Sequence, residues 1–240
     1  MQLTFEGKPI DQLSIDVLQA YEPPEGYFLG FSGGKDSVVI YDLAKRAGVK
    51  FLPTYNVSPI DPPQIYDFIK SKYSDVVWEY RAKGFWGKPF LSKGLPTRKQ
   101  RWCCAVIKEG GGEGRIKILG MRQAESDRRK AYNCRMDNPG GGQWILPILN
   151  WSDADVWQYL YERELETCVL YKLGFTRIGC ILCPFQGKKD YKMSLELFPK
   201  TVKLWKLAAE RYVQVRIERG TPMTFKTGEE YFNWWVKDRL

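Results

Sequence analysis

Two groups of residues in this chain combine side-chain types and spacing that point to particular chemistry. The first is the run Ser32-Gly33-Gly34-Lys35-Asp36-Ser37. Paired glycines let the main chain approach a bound group closely, and the unpaired amides at a helix start, with the positive end of its dipole, attract an anion. A phosphate suits such a turn. Lys35 adds a point charge for phosphate oxygens, Ser32 and Ser37 offer hydroxyl donors, and Asp36 can orient Mg2+ through water. The Walker A pattern needs four residues between its glycines and a Ser or Thr directly after the Lys. Here three residues separate Gly30 from Gly34, and Asp36 follows Lys35.

The second group is Cys103-Cys104 with Cys180-Ile181-Leu182-Cys183, in a chain that contains no histidine. Four thiols with no imidazole competitor suit either structural zinc or an iron-sulfur cluster, and spacing alone does not choose between them. Cys134 and Cys168 fall outside this pattern and read as buried or incidental, though either can serve as a sulfur-handling thiol. The missing histidine also removes Ser-His and Cys-His catalysis.

Strands and helices must position these groups. Tyr27 to Phe31 reads as a buried strand running into the loop, and Val38 to Ala47 as a helix closed by Gly48. A leading helix, Leu13 to Tyr21, precedes them. Val49 to Val57 and Asp75 to Tyr80 read as the next strands, with a helix opened by Pro62-Pro63 between them. Arg115 to Leu119 alternates as a fourth strand and Trp144 to Leu149 supplies a fifth. Ser152-Asp153-Ala154-Asp155 then opens a helix through Tyr161 with a capping-box start. This alternation predicts an α/β fold, a doubly wound and mainly parallel five-stranded sheet, with ligands beyond the carboxyl ends of its strands. Asn56, Ser58 and Asp61 belong there. Residues 81–102, rich in glycine, aromatics and basic side chains, read as a binding loop or an ordinary surface loop. Residues 191–219 read as one basic amphipathic helical stretch, followed by an aromatic tail through Trp234-Trp235.

The loop resembles the SGGKDS signature of the PP-loop ATP pyrophosphatases, tRNA thiolation enzymes and sulfonucleotide reductases. Further segments are similar to the phosphoadenylylsulfate reductase family. Gly120-Met121-Arg122-Gln123-Ala124-Glu125-Ser126, ending in Arg128-Arg129, is like its G-x-R-x-x-E-S-x-x-R segment. Pro147 to Trp157 is like its P-L-x-x-W-x-x-x-D-V-W segment. The resemblance spans residues 27 to about 186 and implies the adenine-nucleotide α-hydrolase-like fold for a domain of residues 1–186; residues 187–240 depart from it and read as a helical extension packed on that domain. It also implies nucleotide contacts from the 32–37 loop, Asn56, Ser58, Gly120, Arg122, Glu125 and Arg128, with Lys35, Asp36 and Arg122 carrying catalysis. By their chemistry, Arg122 and Arg128 are planar forks for phosphate or sulfate, and Glu125 can orient one of them. The CC…CxxC pattern, with Arg101-Trp102 before the first pair and Gly179 before the second, looks like the [4Fe-4S] signature of adenylylsulfate reductases and the related DndC proteins. The resemblance thus favours iron-sulfur over zinc.

The implied enzyme binds ATP or a related adenosine nucleotide with Mg2+ and cleaves between the α- and β-phosphates. It adenylylates an acceptor, such as tRNA or DNA, for sulfur transfer, with a sulfur- or electron-donor protein as partner. One alternative is an adenylylsulfate or phosphoadenylylsulfate reductase, but no cysteine follows Cys183 to match that family's nucleophile. Another is a non-catalytic, zinc-bearing nucleotide- or RNA-binding module. The net charge of +9, from 37 basic and 28 acidic side chains, suits anionic partners. Met1 to Glu6 shows no basic and apolar leader, and no apolar run reaches a membrane span, so a cytoplasmic protein without membrane contact is expected.

Overall fold

The computed structural model describes residues 7–137 and 141–237, so the Met1 to Glu6 segment lies outside the described residues. In chain order it forms α1 (Ile10–Ala20), β1 (Tyr27–Gly30), α2 (Lys35–Ala47), β2 (Phe51–Asn56), α3 (Pro63–Lys72) and β3 (Val77–Glu79). Then come α4 (Lys88–Lys93), α5 (Trp102–Cys104), a π-helical turn at Ala105–Glu109, β4 (Lys117–Ile118), β5 (Arg135–Asp137) and β6 (Gln143–Ile145). Helices α6 (Asp153–Glu162), α7 (Lys188–Leu197), α8 (Pro199–Glu218) and α9 (Gly228–Lys237) follow.

These elements divide into two compact units that interleave along the chain. The first comprises Met1–Asn56, Gln64–Glu79 and Gly111–Val169; the second comprises Val57–Pro63, Tyr80–Gly110 and Leu170–Leu240. Both cysteine pairs therefore fall in the second unit with the C-terminal helices, whereas the sequence groups them with the glycine loop in residues 1–186.

The first unit is built on a six-stranded sheet in the order β3-β2-β1-β4-β6-β5. Every neighbouring pair is parallel except β5 with β6. The expected five-stranded sheet thus gains an antiparallel edge strand, Arg135–Asp137, whose exposed-intermediate-exposed pattern gives no apolar signal. Strands β1 and β4 lie side by side although β2 and β3 extend the sheet the other way. That reversal falls between β1 and β4, and ligands of doubly wound sheets bind outside the carboxyl ends of the strands at such a point. Leu29, Ile40, Leu43, Ile65, Ile69, Ile118 and Ile145 are fully shielded from solvent and fill the core around it.

The second unit is held by aromatic packing. Trp205, on α8, is 1% exposed and meets the rings of Phe85, Trp86, Phe90 and Trp235 at 4.8–6.2 Å. Around it three polar groups are paired: Trp102 Nε1 donates to Gly94 O (3.0 Å), Trp235 Nε1 to Pro96 O (2.7 Å), and Leu95 N to Tyr231 Oη (2.9 Å), while Trp205 Nε1 is buried without a hydrogen-bond partner among the described residues. Phe85, Phe90, Leu95 and Trp102 of the 81–102 stretch are therefore core residues, and part of that stretch is helix α4. The basic helical stretch breaks into α7 and α8 at Pro199, which opens α8 where its missing N–H costs nothing.

Candidate functional site

In the first unit, the chain leaves β1 at Gly30 and turns into α2 through residues 31–34. Gly33 makes the turn at φ +72°, and a β-carbon there would come within 3.2 Å of Ile65 and Ile69. Only glycine takes both the backbone angle and the close packing. Helix α2 starts at Lys35 with no side chain capping its first turn, which leaves the amide end of the helix to attract an anion. The serines hold the turn itself: Ser37 Oγ donates to Gly34 O (2.8 Å), Ser32 Oγ lies 3.3 Å from Ser37 Oγ, and Gly34 N donates to Ser32 Oγ (3.4 Å). Their hydroxyls, expected on phosphate, are here used inside the loop.

Four charged side chains close a ring at this turn. Lys35 Nζ lies 3.3 Å from Asp36 Oδ2 and 3.2 Å from Asp153 Oδ1, while Arg122 Nε lies 2.6 Å from Asp36 Oδ1 and its Nη2 3.0 Å from Asp153 Oδ1. The two cations are buried, with side chains 6% and 3% exposed, whereas Asp36 is 22% and Asp153 63% exposed. Burial raises the Asp153 pKa, but the charge of Lys35 and then of Arg122 more than offsets it and holds the carboxyl below its usual range. Gly120, just beyond β4, makes the arrangement possible, because a β-carbon there would meet Asp36 O at 3.0 Å.

Arg122 therefore does not present an open fork. Its guanidinium is spent on Asp36, Asp153 and Trp151 O (3.4 Å). Glu125 accepts from the Arg122 backbone N (3.0 Å) and from the Arg129 side chain one helical turn on, so the arginine it orients is Arg129. Arg128 is exposed on the adjacent 3-10 turn, Asp127–Ala131. Asn56 is half-buried at the end of β2. Asp153 is the member that sequence reading passes over, because Ser152-Asp153-Ala154-Asp155 reads fully as a helix cap. The structure bears that cap out, with Ser152 Oγ accepting from Asp155 N (3.1 Å), and adds the charge role.

In the second unit, Ser58 stands beside a cysteine. Its Oγ lies 3.7 Å from Cys180 Sγ and accepts from Ile60 N (3.3 Å). The segment is pinned there by Ile181 N donating to Ile60 O (2.7 Å). The four thiols share one electrostatic neighbourhood. A hydrogen bond with Cys104, burial and the charges of Cys104, Cys180 and Cys183 push the Cys103 thiol up. Its partner Cys104 is lowered to about 6, first by the hydrogen bond from Cys103, with burial opposing and Arg101 and Lys108 assisting. Burial and then the Asp61 charge push Cys180 up. Lys108, on the π-helical turn that follows Cys104, is raised chiefly by the charge of Cys180 and also by Asp61, Cys183 and Cys104. An all-sulfur donor set beside a lysine suits a thiophilic centre of net negative charge. As placed, no three Cys, Asp or Glu side chains among the described residues stand at metal-binding geometry. Cys134 is exposed, and buried Cys168 donates to Gln64 O (3.6 Å) in the first unit.

Residues 26–186 match the phosphoadenosine phosphosulfate reductase domain. The chain belongs to this family. An uncharacterised protein of Methanocaldococcus jannaschii is 31% identical over 195 residues, which covers 76% of this chain and 47% of the relative. A probable FAD synthase of Schizosaccharomyces pombe is 26% identical over 177 residues, covering 68% of this chain and 62% of that protein. The chain thus spans about half the length of the first of these relatives. Among solved structures, the phosphate complex of phosphoadenylyl-sulfate reductase from Candida auris superposes with a TM-score of 0.53 at 19% identity, covering 75% of this chain and 97% of that one. The family domain extends past the glycine loop and through both cysteine pairs.

Proposed function

We propose that this chain binds ATP at residues 32–37 and cleaves it between the α- and β-phosphates to activate an acceptor for sulfur transfer. The observation that carries this reading is the loop itself: an uncapped helix start, two glycines and buried Lys35 at the strand-order reversal of a domain in this family. An acceptor oxygen attacks the α-phosphorus, the bond to the β-phosphate oxygen breaks, and pyrophosphate leaves. A sulfur nucleophile then displaces AMP. Lys35 and the Gly33 and Gly34 amides stabilise the charge that develops on the phosphates, and such electrostatic stabilisation usually contributes most to the rate of these transfers. Mg2+ would arrive on the phosphates and meet Asp36 through water.

Cys103, Cys104, Cys180 and Cys183 would hold a [4Fe-4S] cluster, whose chemistry is to carry or pass the sulfur. Asp61 and Lys108 tune the thiols around it. The acceptor is an anionic macromolecule, tRNA or DNA, in keeping with the net charge of +9. The FAD synthase relative is consistent with adenylyl transfer as the first half-reaction.

The test is release of pyrophosphate from ATP against release of sulfite from a sulfonucleotide. Pyrophosphate formation that falls about 100-fold in Lys35→Ala is expected, on the scale of losing one donor to a developing oxyanion. Sulfite release with thioredoxin, and no pyrophosphate, would replace this reading with the reductase. Anaerobic reconstitution should give a brown protein that loses iron in Cys180→Ser, whereas stoichiometric zinc would remove the cluster.

A further inference from the structure

Asp153 stands against Lys35 where a ligand anion would stand. We infer that it is a built-in counterion that an incoming polyphosphate must displace from Lys35, so that it sets both the affinity of the loop and its dependence on a divalent cation. The inference rests on the nucleotide reading of the loop and adds a residue to it.

The charge balance of the ring comes first. Lys35 and Arg122 are two buried cations, and a buried charge without a partner is costly. Asp36 touches both, through a different oxygen for each. A single carboxylate leaves the pair with a net positive charge; Asp153 supplies the second negative charge by sharing Oδ1 between Lys35 and Arg122. The ring is then neutral.

The two carboxylates are not equivalent. Asp36 sits in the first turn of α2 at 22% exposure, between the two cations. Asp153 enters from α6 at 63% exposure and can rotate into water, where its charge is solvated at little cost. When phosphate oxygens come to Lys35, Asp153 is the group that leaves. Until it leaves, it repels them as a like charge. A polyphosphate that arrives with Mg2+ carries less negative charge and meets less of that repulsion. Asp153 thereby favours metal-bound nucleotide over free nucleotide.

The experiment measures ATP dissociation constants, with Mg2+ and with chelator, for the wild type, Asp153→Asn, Asp153→Glu and Lys35→Met. Asp153→Asn keeps the size and an acceptor oxygen but removes the charge. It should bind metal-free ATP about fivefold more tightly than wild type, the scale of one partly exposed ion pair. The gain should be smaller with Mg2+ and should shrink as salt is raised. Asp153→Glu should stay within about twofold of wild type, since it restores the charge on a longer arm. If Asp153→Asn binds as wild type does or more weakly, while wild-type binding depends on Lys35, then Asp153 supports Lys35 rather than competing for it and the inference fails. If Lys35→Met leaves ATP binding unchanged, the nucleotide reading of the loop fails first.

Discussion

At the scale of single residues, the loop is open to reading because its chemistry is contiguous: two glycines, a lysine and a helix start lie within six positions. The ring of charges is not, since Asp36, Arg122 and Asp153 come from three elements and only the fold brings them together. The same holds for Ser58, whose neighbour Cys180 lies 122 positions away. Gly33 gives a test at this scale. Alanine there must adopt φ near +72° and push against Ile65 and Ile69. Gly33→Ala is expected to cost about 1–3 kcal/mol in urea unfolding, and to weaken ATP binding in the surviving folded protein. An unchanged unfolding midpoint would mean that the turn is not held in that conformation.

At the scale of elements, helices with caps and strands with apolar residues are legible, and a polar edge strand is not. The α6 start follows from Ser152 and Asp155, which exchange hydrogen bonds as a capping box. By contrast, β5 has no buried position, so hydrophobic periodicity has nothing to register there. The 81–102 stretch misleads for a related reason: its glycines and prolines signal a loop, while Phe85, Phe90 and Trp102 are claimed by tertiary packing against Trp205 and one another. Because α6 carries Asp153 in its first turn, its cap matters twice. Ser152→Ala should lower stability by about 1 kcal/mol. It should also bring the Lys35 site part of the way toward the behaviour of Asp153→Asn, as the carboxylate loses its fixed approach. Loss of stability with nucleotide affinity unaltered would separate the cap from the site.

At the scale of the whole molecule, the sheet and its order of alternation are readable, but the division into units is not. Segments of the second unit are inserted between strands of the first, so no single boundary along the chain separates the two. Both units bury tyrosines, which gives a shared pH response. Burial, with the Asp42 charge next, raises Tyr73 to about 12, and burial raises Tyr231 to about 12 against the opposing Leu95 amide. Tyr27, Tyr41 and Tyr159 are pushed up further, again chiefly by burial. The folded state keeps these phenols protonated while the unfolded chain ionises near 10, so stability is complete below pH 10 and falls as the pH rises toward 12 and beyond. Denaturant midpoints should drop between about pH 10 and pH 12, with late-titrating tyrosinate absorbance. Tyrosines that all ionise near pH 10 in the folded protein would contradict this burial.

The central claim is that the 32–37 turn grips a polyphosphate, and amide hydrogen exchange locates that grip directly. Adding ATP and Mg2+ should slow exchange at Gly33, Gly34 and the first turn of α2 in the wild type, and leave Lys35→Met unaffected. Slowed exchange elsewhere in the chain, with residues 32–37 exchanging as they do without nucleotide, would place the binding site in a different part of the molecule.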